Sequence, residues 1–168
     1  AALGARHVIC NVWGGDPGVR VPRVSTGMLG CDAVREGDAY KVAKIYRGDA
    51  VDRVRSPLAE PGVYVKEGEY ILAVNRVPVA GAPSLEALFA NLAGKDVLLT
   101  VGKTSSAKDT RDVLVTPLPS EADLRYAHWV RENREYVAAQ TGGKIGYIHV
   151  PDMWTPGLVA FNKWYYPQ

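Results

Sequence analysis

Residues 26–30 are a short segment whose residue types suit ligand binding. They read T-G-M-L-G, so glycines flank two bulky apolar residues. Glycine adopts backbone angles that other residues avoid, and these angles let the successive N–H groups of Met28, Leu29 and Gly30 point at one anion. The alternative is an ordinary glycine-flanked entry into a strand. The segment therefore predicts either an anion-binding loop or a plain strand entry.

A second candidate site lies after the apolar run at residues 145–150. We predict that this run is a buried strand, followed by a loop and a helix that begins near Gly157. The junction between a strand end and a helix N-terminus is a common place for backbone donors to an oxyanion. The simpler interpretations are that His149 is a hydrogen-bonded structural residue and that Asp152 caps the helix.

Composition and charge argue against several classes of function. The 168 residues are 47% hydrophobic and 23% charged, with a formal net charge of +2. The basic residues are scattered, so we predict neither a nucleic-acid partner nor a membrane surface as partner. No apolar run approaches the roughly 20 residues that span a bilayer, and no signal peptide is visible. Cys10 and Cys31 have no metal-ligand spacing, which favours two reduced thiols and no metal; a disulfide is the open alternative.

The elements that must position residues 26–30 are mainly strands. We predict five, at residues 31–34, 40–46, 70–74, 97–101 and 111–116. Ser56 starts a short capped helical turn, and Ser84 caps a helix that runs to about Leu92. One face of that helix is apolar through Leu85, Leu88, Phe89 and Leu92.

Residues 56–76 read SPLAEPGVYVKEGEYILAVNR, and this wording resembles the middle of a bacterial, circularly permuted PDZ domain. The resemblance implies that the loop at residues 26–30 receives the terminal carboxylate of a peptide, and that the peptide pairs with the strand at residues 31–34. The residues it assigns to peptide binding are Gly27, Met28, Leu29, Gly30, Cys31, Leu85 and Leu88. The alternative for the helix residues is that they belong only to the core.

Residues 120–168 extend beyond a PDZ domain. A long helix begins at Ser120 and stops at Gly142 and Gly143, before the strand at residues 145–150 and a further helix. The strongest motifs are LRY at 124–126, WV at 129–130, NR at 133–134 and IGYIHVPDM at 145–153. With the PDZ-like part, they resemble the tricorn protease family, relatives of the C-terminal processing peptidases, over nearly the whole chain.

This family resemblance implies an α+β chain in three parts. Residues 1–23 are the end of an N-terminal core subdomain or a linker. Residues 24–118 form a PDZ domain, a small, partly open β-barrel with two helices. Residues 119–168 are the helix-strand-helix start of an incomplete α/β serine peptidase core.

The same resemblance assigns catalytic roles. His7, which precedes the Gly-Gly-Asp at 14–16, matches the general base, and Gly157 matches a donor to the oxyanion. Arg6 stands where the family has a serine, and a guanidinium cannot accept the hydrogen bond that a serine oxygen accepts. The nucleophilic serine and the acidic residue of the family lie beyond Gln168, so we expect no complete active site in this chain.

Two functions from different classes follow. The first is a segment of a cytoplasmic, tricorn-like serine peptidase that degrades peptides without metal or cofactor. Its PDZ domain would bind substrate or gate its access. The partners implied are peptide or protein C-termini, the remainder of its own peptidase chain, and further copies in a homo-oligomer of the full-length protein. The second is a stand-alone PDZ-type module that binds peptides without catalysis.

Overall fold

The structure of the protein is a computed structural model that describes residues 24–49, 54–106 and 108–166. The predictions for residues 1–23, including the role of His7, lie outside these ranges. In chain order the strands are β1 Cys31–Glu36, β2 Ala39–Ile45, β3 Gly48–Asp49, β4 Val54–Arg55, β5 Tyr70–Val74, β6 Val77–Pro78, β7 Val97–Gly102 and β8 Thr110–Val115. The helices are α1 Leu85–Leu88, α2 Ala122–Thr141 and α3 Thr155–Tyr165.

The main sheet is antiparallel and has six strands. Five of them follow the order β1-β2-β5-β7-β8, β6 pairs with the end of β5, and β3 and β4 form a separate two-stranded ribbon. The strands form because apolar and polar residues alternate. In β7, for example, Val97, Leu99 and Val101 are fully buried, whereas Leu98 and Thr100 lie half-buried between them. The order leaves β1 at an edge of the sheet.

The core lies against one face of this sheet and is closed by short helical segments. Ser56 caps the 3-10 turn Pro57–Ala59, accepting a hydrogen bond from the N–H of Leu58 as the sequence predicts. The turn seats Leu58 in the core, and the C-terminal end of α1 seats Phe89 there. Burial of a large apolar side chain contributes about 1.5–3 kcal/mol. These two residues therefore help to hold together the sheet and helical turns of residues 24–118, which we call the sheet unit.

Helix α1 is shorter than predicted. The sequence favours a helix from Ser84 to about Leu92, but the α-helical part is the single turn Leu85–Leu88. Ser84 does cap it by accepting a hydrogen bond from the N–H of Ala87. The α-helical hydrogen bonds end there, because the N–H groups of Phe89 and Ala90 donate to carbonyls three residues earlier, and Asn91 then adopts a left-handed conformation with φ of 59°.

The C-terminal region contains two helices, and the α+β class is confirmed. Helix α2 ends at Gly142, which takes the left-handed conformation typical of a helix C-terminus. The strand predicted over residues 145–150 is wrong: no ladder hydrogen bond forms there within the described part of the chain. A strand needs a hydrogen-bonded neighbour, and an apolar run without one does not make a sheet.

Candidate functional site: the β1–α1 groove

A groove of about 220 Å³ lies between β1 with its preceding loop and helix α1. We call it the β1–α1 groove. Its walls come from four parts of the chain: residues 27–33, α1, Glu121 and the first turns of α2. The lining residues are Gly27, Met28, Leu29, Cys31, Asp32, Ala33, Leu85, Glu86, Phe89, Glu121 and Arg125. Five of the seven residues predicted to bind a peptide are therefore brought together here.

The loop that starts the groove is held from both sides. The N–H of Gly27 donates to the carbonyl of Phe89 at 2.9 Å, and Met28 exchanges two backbone hydrogen bonds with Leu118. The carbonyl of Leu29 accepts from the Ser56 hydroxyl at 2.8 Å. These contacts occupy the Met28 N–H, which is therefore not available to an anion, contrary to the sequence prediction. They leave unused the N–H groups of Leu29 and Gly30, which donate to no acceptor within the described residues.

The N–H of Cys31 follows those of Leu29 and Gly30 as a third unused amide. The N–H of Tyr46 donates to the carbonyl of Gly30 at 2.9 Å, while Cys31 faces Ile45 across the β1–β2 pair. In an antiparallel pair this pattern makes Cys31 and Ile45 a non-hydrogen-bonded pair, whose N–H groups point away from each other's strand. The Cys31 N–H therefore points to the open edge of the sheet, and three successive amides are available to an anion.

The floor of the groove is apolar and neutral. Leu29, Leu85 and Phe89 are buried, and the free thiol of Cys31 is partly buried beside them. Burial, reinforced by the neighbouring carboxylates of Glu121 and Asp32, raises the pKa of Cys31 to about 12. The thiol therefore stays protonated at neutral pH and adds no charge to the floor.

The other two residues predicted to bind a peptide, Leu88 and Gly30, are not part of the groove lining. Leu88 packs against the core and does not line the groove, which agrees with the alternative that this residue belongs only to the core. Gly30 contributes its N–H to the row of amides. The position that a side chain would occupy at this residue faces α2. A Cβ there would lie 2.7 Å from Leu124 Cδ1, and φ is +66°, so glycine is required.

An ion cluster closes one end of the groove, and the sequence interpretation missed it. The guanidinium of Arg125 donates to Glu121 at 2.7 Å, to the Tyr46 hydroxyl at 2.7 Å and to Asp32 at 2.8 Å. It also lies over the Tyr46 ring at 4.3 Å. The motif at residues 124–126 signals the family, but nothing local in it indicates partners that lie 79 and 93 residues away.

The charges of this cluster reinforce one another. Partial burial works against ionisation of Asp32, but hydrogen bonds from Tyr46 and Arg125 outweigh it and lower the pKa of Asp32. Desolvation likewise opposes the Arg125 charge, yet its bonds to Asp32 and Glu121 raise the pKa of Arg125. Asp32 and Arg125 are therefore both charged at neutral pH.

Gly157, predicted as an oxyanion donor, lies in the first turn of α3. Its N–H donates to Asp152 Oδ1 at 2.9 Å, and the N–H of Trp154 donates to the same oxygen. Asp152 thus caps the helix start. A Cβ on Gly157 would lie 1.8 Å from the carbonyl oxygen of Asp152, so only glycine fits. In this arrangement the Gly157 N–H is already bonded to Asp152.

The two histidines in the described residues have structural partners. His149 Nε2 lies 2.5 Å from the Tyr126 hydroxyl, and its ring contacts Trp129 edge-on. The polar neighbours of His128 in the sequence are typical of an exposed residue, but its side chain is only 15% exposed, and Tyr46 packs edge-on against its ring. Among the described residues, no serine, threonine or cysteine side chain is hydrogen-bonded to either ring.

A larger cleft, of about 400 Å³, separates α2 from α3. Arg131, Arg134 and His149 contribute to its lining, alongside aromatic and proline side chains. Within the ranges that the structure describes, no group of three or more His, Cys, Asp and Glu side chains converges as a metal site would require. Over the same residues, no helix combines the length and apolar character needed to cross a bilayer.

Comparisons with known proteins agree on one family. The family model of the tricorn protease PDZ domain matches residues 27–120. Tricorn protease homolog 1 of Streptomyces coelicolor is 39% identical over 164 residues, which cover 96% of this chain and 15% of that protein. A tricorn protease homolog of Saccharolobus solfataricus is 35% identical over 143 residues, covering 83% of this chain and 13% of that protein.

A solved structure gives the same result. The crystal structure of the tricorn protease matches with a TM-score of 0.72 and 31% identity, covering 84% of this chain and 14% of that one. The chain thus spans about one seventh of the relatives it matches. The resemblance predicted from the motifs is confirmed: this chain belongs to the tricorn protease family, as a segment that includes its PDZ domain.

Proposed function

We propose that the β1–α1 groove binds the C-terminal end of peptides or proteins. The observation that carries this proposal is the row of three available amides, those of Leu29, Gly30 and Cys31, at the head of an open strand edge. Such a row binds a carboxylate, and the edge of β1 accepts the peptide backbone as an added strand. Leu85 and Cys31 then contact the last side chain of the peptide.

A titration of matched peptides tests this proposal. A fluorescent peptide with an apolar last residue is compared with its C-terminally amidated twin by fluorescence polarisation. Hydrogen bonds to a charged group contribute about 1.5–3 kcal/mol, so the free acid should bind about tenfold tighter or more. Equal affinity of the two peptides, or no binding of either, contradicts the proposal.

A pair of substitutions on α1 locates the binding. Leu85→Ala removes a side chain that lines the groove, whereas Leu88→Ala removes an equal volume from a residue outside the lining. We expect Leu85→Ala to weaken binding about tenfold and Leu88→Ala to leave it unchanged. Far-UV circular dichroism checks that both variants stay folded. Equal effects of the two substitutions would place binding elsewhere.

We further propose that the parent protein is a cytoplasmic serine peptidase acting on peptides, without metal or cofactor, and that it assembles as a homo-oligomer. Membership of the tricorn protease family supports peptidase activity. In this proposal residues 1–23 end the first core subdomain, residues 24–118 are the PDZ domain and residues 119–168 begin the catalytic subdomain. His7 is the general base, and Gly157 donates to the oxyanion once Asp152 releases its N–H.

The full-length parent protein provides the test. His7→Ala should reduce peptide hydrolysis by several orders of magnitude, because the base takes the proton of the nucleophile, and should leave binding in the β1–α1 groove unchanged. Undiminished hydrolysis would contradict the assignment of His7. A parent that binds peptides but hydrolyses none would favour the alternative, a binding module without catalysis. That alternative draws support from the groove, which is assembled within this chain.

A further inference from the structure

The β1–α1 groove carries an excess of negative charge. Three carboxylates line it, Asp32 on β1, Glu86 on α1 and Glu121 just before α2, against the single guanidinium of Arg125. Such a lining opposes the approach of a peptide carboxylate unless the peptide also brings positive charge. The sign of the lining therefore restricts which C-termini can bind.

Arg125 offsets only one of these three negative charges. Its donors are directed at Glu121, at the Tyr46 hydroxyl and at Asp32, all within 2.8 Å. The carboxylates keep unused acceptor capacity: each oxygen of Asp32 accepts one hydrogen bond, from Arg125 and Tyr46, and its side chain is still 42% exposed. Glu86 is exposed and makes no hydrogen bond or ion pair through its side chain within the described residues.

The position of Asp32 identifies the ligand residue that it meets. A peptide whose carboxylate lies on the amides of Leu29 and Gly30 extends along the open edge of β1. Its last residue then lies opposite Cys31 and its penultimate residue opposite Asp32, and directly opposed side chains are about 5 Å apart at Cβ. The penultimate side chain therefore contacts the acidic part of the groove.

We propose that the β1–α1 groove selects C-termini with a lysine or arginine as penultimate residue and an apolar last residue. This inference rests on the proposed binding of peptide C-termini and names the class of partner. The ion pair is partly exposed, so its contribution is that of a surface pair. We expect a lysine peptide to bind about fivefold tighter than its glutamate counterpart.

The experiment uses three peptides that differ only at the penultimate residue, lysine, alanine or glutamate, each as free acid and as amide. Fluorescence polarisation at low and high salt should rank them lysine, alanine, glutamate, with the differences shrinking at high salt because screening weakens exposed pairs. Asp32→Asn should reduce the preference for lysine most, and Glu86→Gln, which changes only the overall charge of the lining, should reduce it less. Asp38→Asn, in the β1–β2 turn outside the groove, is the matched control and should leave the preference intact.

The outcomes separate this inference from the proposed function. If free acids bind better than amides but the three penultimate residues bind alike, charge selection is wrong and carboxylate binding stands. A preference for glutamate, or a preference for lysine that Glu86→Gln and Asp32→Asn both leave unchanged, also overturns charge selection. Equal binding of acids and amides overturns the proposed function itself. Because Glu86 is outside the Arg125 cluster, the Glu86→Gln result stands even if Asp32→Asn disturbs the fold.

Discussion

Residues 24–118 and residues 119–166 bury their apolar side chains to very different degrees. The first region has a continuous core beneath its sheet. In the described part of the second region, only Leu124 and Gly157 are buried. Most of its aromatic residues are exposed, and Met153 and Trp154 are 95% and 81% exposed. Proteins rarely leave large contiguous apolar surface uncovered. The second region therefore has enough apolar residues for a core, but its two helices do not bury them.

The most deeply buried contact between the two regions lies at the start of α2. Leu124 of α2 is fully buried, and it lies against Gly30 in the loop that heads the β1–α1 groove. Arg125, the next residue, is hydrogen-bonded to Asp32 on β1 and to Tyr46, which directly follows β2. The helical region is therefore attached to the sheet unit beside the proposed binding site and through His128 on Tyr46, while most of its apolar surface is uncovered.

The largest expected effect is the loss of a core side chain from the sheet unit. Phe89→Ala removes a ring that is 2% exposed and should lower the free energy of unfolding by about 3–5 kcal/mol. Urea denaturation followed by circular dichroism measures it. A loss below about 1 kcal/mol would show that the sheet unit does not depend on this core.

The second effect concerns the attachment of α2. Leu124→Ala should lower the free energy of unfolding by about 2–4 kcal/mol, because it leaves a cavity between the helix and the loop. Amide hydrogen exchange should speed up in α2 more than in β5 and β7. Uniform acceleration across the sheet would instead mean that Leu124 supports the whole core and is not only an attachment point.

A smaller effect comes from the Glu69–Arg111 ion pair in the sheet unit. Arg111 donates two hydrogen bonds to the carboxylate of Glu69, at 2.7 and 2.8 Å. These bonds lower the pKa of Glu69 although burial opposes the shift. Arg111 is 39% exposed, so we expect Glu69→Gln to lower stability at pH 7 by only about 1–2 kcal/mol.

The pH dependence of this pair has a defined sign. Because folding lowers the pKa of Glu69, the ionised carboxylate stabilises the fold above its ordinary value of 4.5, and this stabilisation is lost as pH falls through the lowered pKa. Urea denaturation from pH 7 to pH 3 should show a shallower fall for Glu69→Gln than for the unaltered chain. Glu36→Gln, at the exposed pair with Lys41, serves as the control with the smaller change. Identical pH profiles for Glu69→Gln and the unaltered chain would contradict the assigned role of Glu69.

The smallest effect is expected in the uncovered region. Met153→Ala should change the free energy of unfolding of this chain by less than about 0.5 kcal/mol, because the side chain is almost fully exposed. Urea denaturation at several protein concentrations measures it. A larger loss that grows with concentration would show that a second copy covers this surface.

Much of the sheet unit could be predicted because its signals are local. Alternating apolar residues define β2, β7 and β8, and Ser56 and Ser84 lie at their predicted caps. The glycines at 27 and 30 likewise indicated a loop with available amides, although the same letters fit a plain strand entry. The structure places the strand that follows this loop, β1, at an edge of the sheet, and the binding of an anion by the loop stays a prediction.

The failed predictions concern long-range contacts. The run at residues 145–150 has the composition of a strand but no neighbouring strand to bond with among the described residues. Leu88 shares an apolar face with Leu85, yet only Leu85 lines the groove, since Leu88 packs against the core. His128 has polar neighbours in sequence but is packed against Tyr46.

By itself, the sequence determined the family, the α+β class, most of the strands and the glycine loop, because each depends on residue types and spacings within a short stretch. Only the tertiary structure decided that Arg125 and Glu121 close the β1–α1 groove and that Leu124 attaches α2 at its loop. These contacts join residues far apart in the chain, where no local spacing encodes the pairing and the packing of the whole fold selects the partner.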